Sequence, residues 1–270
     1  MDIDQPSRPK IVGIVLVRNE DRFVGQAVQN IAAFCDVLIL CDHHSTDGTV
    51  DILKRLANEI PHAGLHAIPD PSESHDLVKR YAGTDTWVFG VDGDEIYDPA
   101  GLGRMRRRLL DGEFRDSWMV FGNVLNVEEL DEEAGTAAGY ASPPCRSMTK
   151  LYNFAAISSW DGFCPERLHG GSPVFRAGFS ALSRRGLHES VRWGDSDLRC
   201  LHVCFVRRSS LDTDEAVRAN LMEIQGGSRI SRVAQWLRGL VGIRPRIRWK
   251  NERYRRGPLV RVPTDGFFSD

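Results

Sequence analysis

With 270 residues and 41% hydrophobic content the chain is long enough to bury a full core, as one large domain or two small ones. A formal net charge of -2 argues against a surface that binds nucleic acid as a whole, and no apolar stretch reaches the roughly 20 residues needed to cross a bilayer. The opening MDIDQPSRPK is polar and acidic and reads as neither signal peptide nor anchor, so a soluble cytoplasmic protein is expected.

In chain order, KIVGIVLV at 10–17 is a continuous apolar run, of the kind buried on both faces of a parallel sheet. Phe23, Val24, Ala27, Val28 and Ile31 then recur at helical spacing within 20–34. DVLILC at 36–41 is a second buried strand. It stops at DHHSTDGT, where Ser45 or Thr46 can cap a helix bearing Val50, Leu53, Leu56, Ala57 and Ile60 at the right period. GLHAIP at 64–69 reads as a short third strand, 74–82 as a helix, TWVFGV at 86–91 as the fourth strand, and DPAG as the start of another helix. This alternation predicts an α/β fold with a doubly wound, mostly parallel sheet.

In open sheets of this kind ligands sit beyond the carboxyl ends of the strands. Polar clusters follow three of them. Arg18, Asn19 and Glu20 come after the first, Asp42 to Asp47 after the second, and Asp92, Gly93, Asp94 and Glu95 after the fourth. All three clusters should converge on one crevice. Carboxylates at a strand end are hard oxygen ligands suited to Mg²⁺ or Mn²⁺, which bind through one or two carboxylates plus substrate phosphates. Gly93 allows the tight turn between the two aspartates.

The spacing of the six cysteines is irregular and gives no disulfide scaffold. Cys200, His202 and Cys204 would share one face of a strand. A zinc site would want a fourth ligand and a CxxC-type turn, so the cysteines are expected as small buried apolar residues, with His202 left open.

IVGIVLVRNE, VLILCDHHSTDGTVDIL and WVFGVDGDE, taken together, resemble the first strand, the Asp-x-x-Ser-x-Asp-Gly-Thr segment and the Asp-x-Asp motif of the inverting, nucleotide-sugar-dependent glycosyltransferases with the GT-A fold. The match covers about residues 10–110. GLHESV followed by LRCLHVCF is similar to features of the bacterial branch that glycosylates lipopolysaccharide and related glycans. The resemblance implies one domain over 1–228, with a nucleotide-sugar half and, from about 111, an acceptor half. A basic extension fills 229–270.

It also implies roles. Asp42 would bond the nucleobase or ribose, Val17, Arg18 and Asn19 would line the base pocket, and Glu20, Ser45 and Gly93 belong to the same nucleotide-sugar site. Asp92 would lie near the ribose, while Asp94 and His202 would hold the Mn²⁺ or Mg²⁺ that takes up charge on the leaving diphosphate. Lys79, with Arg80, is a candidate cation for the diphosphate. A general base must take the acceptor's proton; Glu189 is the first choice, with Asp161 and Glu166 as competitors. The donor is a nucleoside-diphosphate sugar, with UDP the expected nucleotide. The acceptor is a glycan, a lipid-linked molecule or a small molecule.

Two stretches stand apart. Residues 126–144 are acidic, then rich in small residues, then Pro-Pro, and read as a mobile loop or lid. From Arg229 to Arg261 arginines interleave with Trp236, Leu240, Ile243 and Trp249, which suits an anionic membrane surface at the inner face of the plasma membrane. Packing onto the body, or onto a second copy in a homodimer, suits it equally. No nucleic-acid module is visible. The rival functions are a pyrophosphorylase of related fold, which should carry a Gly-rich phosphate loop where VRNEDRF stands, and a turnover-dead binding protein.

Overall fold

The computed structural model describes residues 10–146, 150–212 and 253–268. In chain order the elements are β1 (Lys10–Val17), α1 (Val24–Ala32), β2 (Val37–Asp42), α2 (Thr49–Glu59), β3 (Ala63–Ala67), α3 (Glu73–Lys79), β4 (Thr86–Asp92), β5 (Glu95–Tyr97) and α4 (Pro99–Leu110). The second half is mostly strand: β6 (Met119–Phe121), β7 (Asn123–Asp131), β8 (Thr136–Ala141), β9 (Lys150–Asn153), β10 (Ile157–Asp161), β11 (Ser172–Phe175), β12 (Arg184–Gly186), β13 (Arg199–His202) and β14 (Leu259–Pro263).

The main sheet has seven strands in the order β12-β6-β9-β4-β1-β2-β3. Strands β4, β1, β2 and β3 run parallel; β9 is antiparallel to both β4 and β6. This is the α/β, doubly wound, mostly parallel sheet expected from the alternation of strands and helices, and its core explains the apolar runs. Every residue of β1 after Lys10 is buried, with Ile11 and Val15 in one cluster and Val12 and Ile14 in another on the opposite face. Gly13 has no room for a side chain, since a Cβ would meet Cys35 Sγ at 2.6 Å.

The helices begin and end on local chemistry. α4 is capped by Asp98, whose Oδ1 accepts from Ala100 N at 3.0 Å and Gly101 N at 3.1 Å, with Pro99 in the first turn. α2 starts later than the sequence pattern suggests. Neither Ser45 nor Thr46 caps it; Gly48 holds that position and Asp47 Oδ1 accepts from Thr49 N at 3.0 Å. Ser45 and Thr46 bond Asn19 instead, because the loop after β2 turns toward the loop after β1.

A second sheet of five strands, β14-β8-β7-β13-β5, stands beside the first. It corrects the expected lid over 126–144: most of that stretch is a hairpin of β7 and β8. Its apolar pattern is hard to see because small residues fill the buried positions. Ala137 and Ala138 are buried, and a Cβ on Gly139 would lie 2.2 Å from Asn126 O. Cys200 and Cys204 do not share a face either. β13 ends at His202, and the two cysteines, both buried, enter different apolar clusters.

Within the basic tail, residues 229–252 lie outside the described residues. Residues 253–268 pack onto the body. β14 pairs with β8, Phe267 is 1% exposed within the cluster that includes Phe23 and Ile96, and Arg255 and Arg261 pair with Glu128 and Glu129. Among the described residues no helix is long and apolar enough to cross a membrane.

Asp98 also pairs with Arg199 at 2.8 Å, joining α4 to β13. Asp98→Ala removes the cap and leaves that arginine without its carboxylate, so it should cost about 2 kcal/mol. Urea unfolding should show this as a lower midpoint with an unchanged slope.

Candidate active site

The three parallel strand ends are in register. Val17 lies opposite Asp42, and Leu16 opposite Asp92, so the residues that follow β1, β2 and β4 leave the sheet along one edge. The loops interlock there. His43 N donates to Val17 O at 3.0 Å, Asn19 N donates to Ser45 Oγ at 2.9 Å, and Thr46 N donates to Asn19 Oδ1 at 2.7 Å. Asn19 and His44 both adopt positive φ, at 53° and 54°. A Cβ on Gly93 would stand 2.2 Å from Glu20 Oε2 and 2.6 Å from Val17 Cγ1, so a glycine is required where the first and fourth strand ends meet.

Asp42 is buried at the end of β2. Its Oδ2 accepts from Ser45 N at 3.3 Å, while Oδ1 is buried with no hydrogen-bond partner among the described residues. A buried carboxylate oxygen without a donor is costly, and a ligand N–H or O–H would satisfy it. His43 beside it is lowered by burial, against a weaker opposing effect of the Ile68 carbonyl, and is therefore neutral at pH 7.

The carboxylates of DGDE each have their own answer to crowding. Asp92 is held by Arg167, whose side chain is 5% exposed and also donates to Val91 O at 2.5 Å. Asp94, 1% exposed, is held by Arg208, which reaches Glu20 Oε1 at 3.1 Å with the same nitrogen. Burial would depress both arginines, but Asp92 beside Arg167, and Asp94 and Glu20 beside Arg208, outweigh it and raise them. Glu95 is pushed well up by burial and then by the Asp92 and Asp94 charges, so it keeps its proton far longer than an ordinary carboxyl; it accepts from Asp92 N and Tyr97 Oη, each at 3.2 Å.

β13 lies between β5 and β7, with His202 opposite both Glu95 and Asn126, which carries its imidazole to Asp94. Its Nε2 is 3.6 Å from Asp94 Oδ2, and its Nδ1 is 2.8 Å from Asn126 Oδ1. The Asn126 amide nitrogen faces the carbonyls of Tyr140 and Tyr254, at 3.5 and 3.4 Å, so its oxygen faces the ring and Nδ1 carries the hydrogen. A neutral ring with its hydrogen on Nδ1 is the tautomer in which Nε2 can ligate a metal. Among the described residues no group of three or more His, Cys, Asp or Glu side chains forms a complete metal site. One carboxylate and one imidazole fit an ion whose other ligands are phosphate oxygens and water.

The candidate bases lie in three different places. β12 runs parallel to β6, and Glu189 follows it in a short 3-10 turn, so it too leaves the sheet at the carboxyl ends; its side chain is 75% exposed. Glu166 adjoins Arg167. It is 14% exposed, raised by burial against the lowering effect of Arg167, and lies 3.2 Å from His169 Nδ1. Asp161 is exposed at the end of β10, in a separate two-stranded sheet. Lys79 pairs with Asp76 at 2.5 Å on the outside of α3. The two arginines that neutralise the cluster, Arg167 and Arg208, were not legible as site residues. Each lies in a loop, 75 and 114 residues from its aspartate.

Fold and site define an α/β chain with a cluster of polar and charged groups at the carboxyl edge of its mostly parallel sheet. No protein-family model matches the chain. It is similar to the SPbeta prophage-derived glycosyltransferase SunS of Bacillus subtilis (strain 168), at 24% identity over 104 residues. That alignment takes in 38% of this chain and 24% of the relative, so the chain spans about a quarter of the length of the curated protein it matches. Among solved structures it resembles glucosyl-3-phosphoglycerate synthase of M. tuberculosis over 88% of this chain and 82% of that one, with 18% identity and a TM-score of 0.42. The mannosyltransferase PcManGT of Pyrobaculum calidifontis, solved with GDP-Man and Mn²⁺, matches over 47% and 39%, with 22% identity and a TM-score of 0.31.

Arg167→Met removes a buried guanidinium and leaves Asp92, one-third exposed, without its partner. The expected loss is about 2–3 kcal/mol, toward the low end for a broken buried pair. Adding Asp92→Asn should recover part of it. A double-mutant cycle by chemical denaturation measures the coupling.

Proposed function

We propose that the chain is a glycosyltransferase that moves a sugar from a nucleoside-diphosphate sugar to a hydroxyl acceptor with inversion. The observation that carries the reading is Asp42 Oδ1, a buried oxygen without a donor among the described residues, in the strand-end row that includes Val17 and the DGDE turn. A nucleobase N–H or a ribose hydroxyl supplies the missing hydrogen bond. The backbone at Val17–Asn19 forms the adjoining wall, and UDP is the expected nucleotide.

Asp94 and His202 would hold the divalent ion. A bound Mn²⁺ or Mg²⁺ supplies Lewis-acid stabilisation of the departing diphosphate. Glu189 accepts the proton of the acceptor hydroxyl as its oxygen forms the new bond to the anomeric carbon and the bond from that carbon to the diphosphate breaks. Its exposed position on the carboxyl edge leaves it open to an acceptor, whereas the Glu166 carboxylate is already engaged by His169. A glycan, lipid-linked or small-molecule acceptor fits this chemistry, and bacterial glycan assembly is the proposed setting.

Thermal melting with UDP, GDP, TDP or CMP, with and without Mn²⁺, tests donor binding, because a ligand that binds only the native state raises the melting temperature. One nucleoside diphosphate should stabilise the protein, more so with the ion; no shift with any of them rejects the reading. Glu189→Gln should keep that shift while nucleotide release in the presence of acceptor falls roughly 10²- to 10⁴-fold. If Glu166→Gln shows this loss and Glu189→Gln turns over normally, the base is Glu166.

A further inference from the structure

Arg208 sits on the oxygen that an ion would need. Its Nη1 is bonded to Asp94 Oδ2 and lies 3.1 Å from Glu20 Oε1, and the same Oδ2 is the one 3.6 Å from His202 Nε2. Both carboxylates are buried, and the arginine side chain is 13% exposed. A divalent ion binds carboxylate oxygen at about 2.0–2.6 Å. An ion on Oδ2 would therefore stand within a few ångströms of the guanidinium that the same oxygen already binds, and the repulsion between the two cations opposes its entry.

The segment that carries Arg208 is fastened without its guanidinium. Arg22 N donates to Arg208 O at 3.2 Å, and the backbone N–H groups of Arg208 and Ser209 donate to Asp212 Oδ2 at 3.1 and 3.0 Å. Ser209 Oγ donates to Asp47 Oδ2 and Ser210 Oγ to Asp21 Oδ2, both at 2.5 Å. Backbone and side chain are thus held by separate contacts. The guanidinium can leave Asp94 while the strap stays across the ends of β1 and β2.

We propose that Arg208 is a resident counter-cation that closes the ion position of the free protein, so that a divalent ion enters together with a nucleoside diphosphate and not before it. This rests on the ion site proposed above for Asp94 and His202. The diphosphate compensates for the exchange on both sides. It offers the guanidinium a doubly charged partner of matching fork geometry, and it brings the ion further oxygen ligands. An ion arriving alone must part Arg208 from Asp94 and leaves it only Glu20 as a partner. Its apparent affinity is reduced by the fraction of molecules in which the arginine is away, and a minor state of that kind is typically about 0.1–10% populated.

The test is the binding of Mn²⁺ alone, followed by electron paramagnetic resonance of free Mn²⁺ and by calorimetry, on wild type and on Arg208→Met. The variant should bind Mn²⁺ alone roughly tenfold to a thousandfold more tightly than wild type. Asp94→Asn added to it should abolish the gain. Wild type should approach the variant's affinity only when UDP, or whichever nucleotide raises its melting temperature, is present. Because Arg208→Met leaves two buried carboxylates facing each other, Glu20→Gln/Arg208→Met is measured beside it, with melting curves to show that each is folded. If the folded variants bind Mn²⁺ alone no better than wild type, while wild type takes Mn²⁺ up with nucleotide, the ion site stands and the counter-cation proposal is overturned. If wild type binds no Mn²⁺ even with nucleotide, the ion site falls and the proposal falls with it.

Discussion

Asp92, Asp94 and Glu95 fall within four consecutive positions, at the end of a strand whose interior is fully apolar, and much of the site answers the repulsion among them. Like charges this close and this little exposed cannot all remain ionised and unpaired. The chain uses two remedies. Arg167 and Arg208 neutralise the two aspartates, and Glu95 is raised by burial and by its neighbours. The loop over 162–171 and the strap after β13 are thereby tied to one turn of the first half.

Neither arginine is a local partner, so the second half of the chain is needed to stabilise the turn in the first. β13 is the means of delivery. It enters the second sheet between β5 and β7, sets His202 opposite Glu95, and leads into the residues that carry Arg208. Arg167 arrives by a different route, over α3, where His75 Nδ1 bonds its carbonyl at 2.6 Å and Ser74 Oγ accepts from its backbone N–H at 2.8 Å. A substitution that loosens α3 therefore acts on Asp92 without touching it.

The first half was legible because β1, β2 and β4 are buried on both faces, which leaves unbroken apolar runs with polar residues only at the ends. β1 spans the same residues as the run that announces it, β2 is shifted by one residue at each end, and β4 runs one residue further. The β7–β8 hairpin was misread because alanine and glycine fill positions where valine or isoleucine would have marked a strand. The cap of α2 was misplaced because Ser45 and Thr46 spend their hydrogen bonds on Asn19, a tertiary choice that capping preference does not encode. Convergence of the strand ends followed from topology. The arginines could not be singled out among 35 basic residues, since only folding decides which of them meets a buried carboxylate.

Asn30, buried in the middle of α1, donates through one amide nitrogen to Tyr97 O at 2.7 Å and to Phe267 O at 2.8 Å. The second bond joins residues 237 apart. While the chain is being made, the first helix and strand are complete long before their last acceptor emerges, so the amide must stay hydrated or bonded elsewhere until residues 264–268 arrive. Closure of this kind carries a large loop entropy and belongs to the late, slow part of folding. Until then the apolar cluster around Phe23 and Ile96 lacks Phe267, one of its fully buried members.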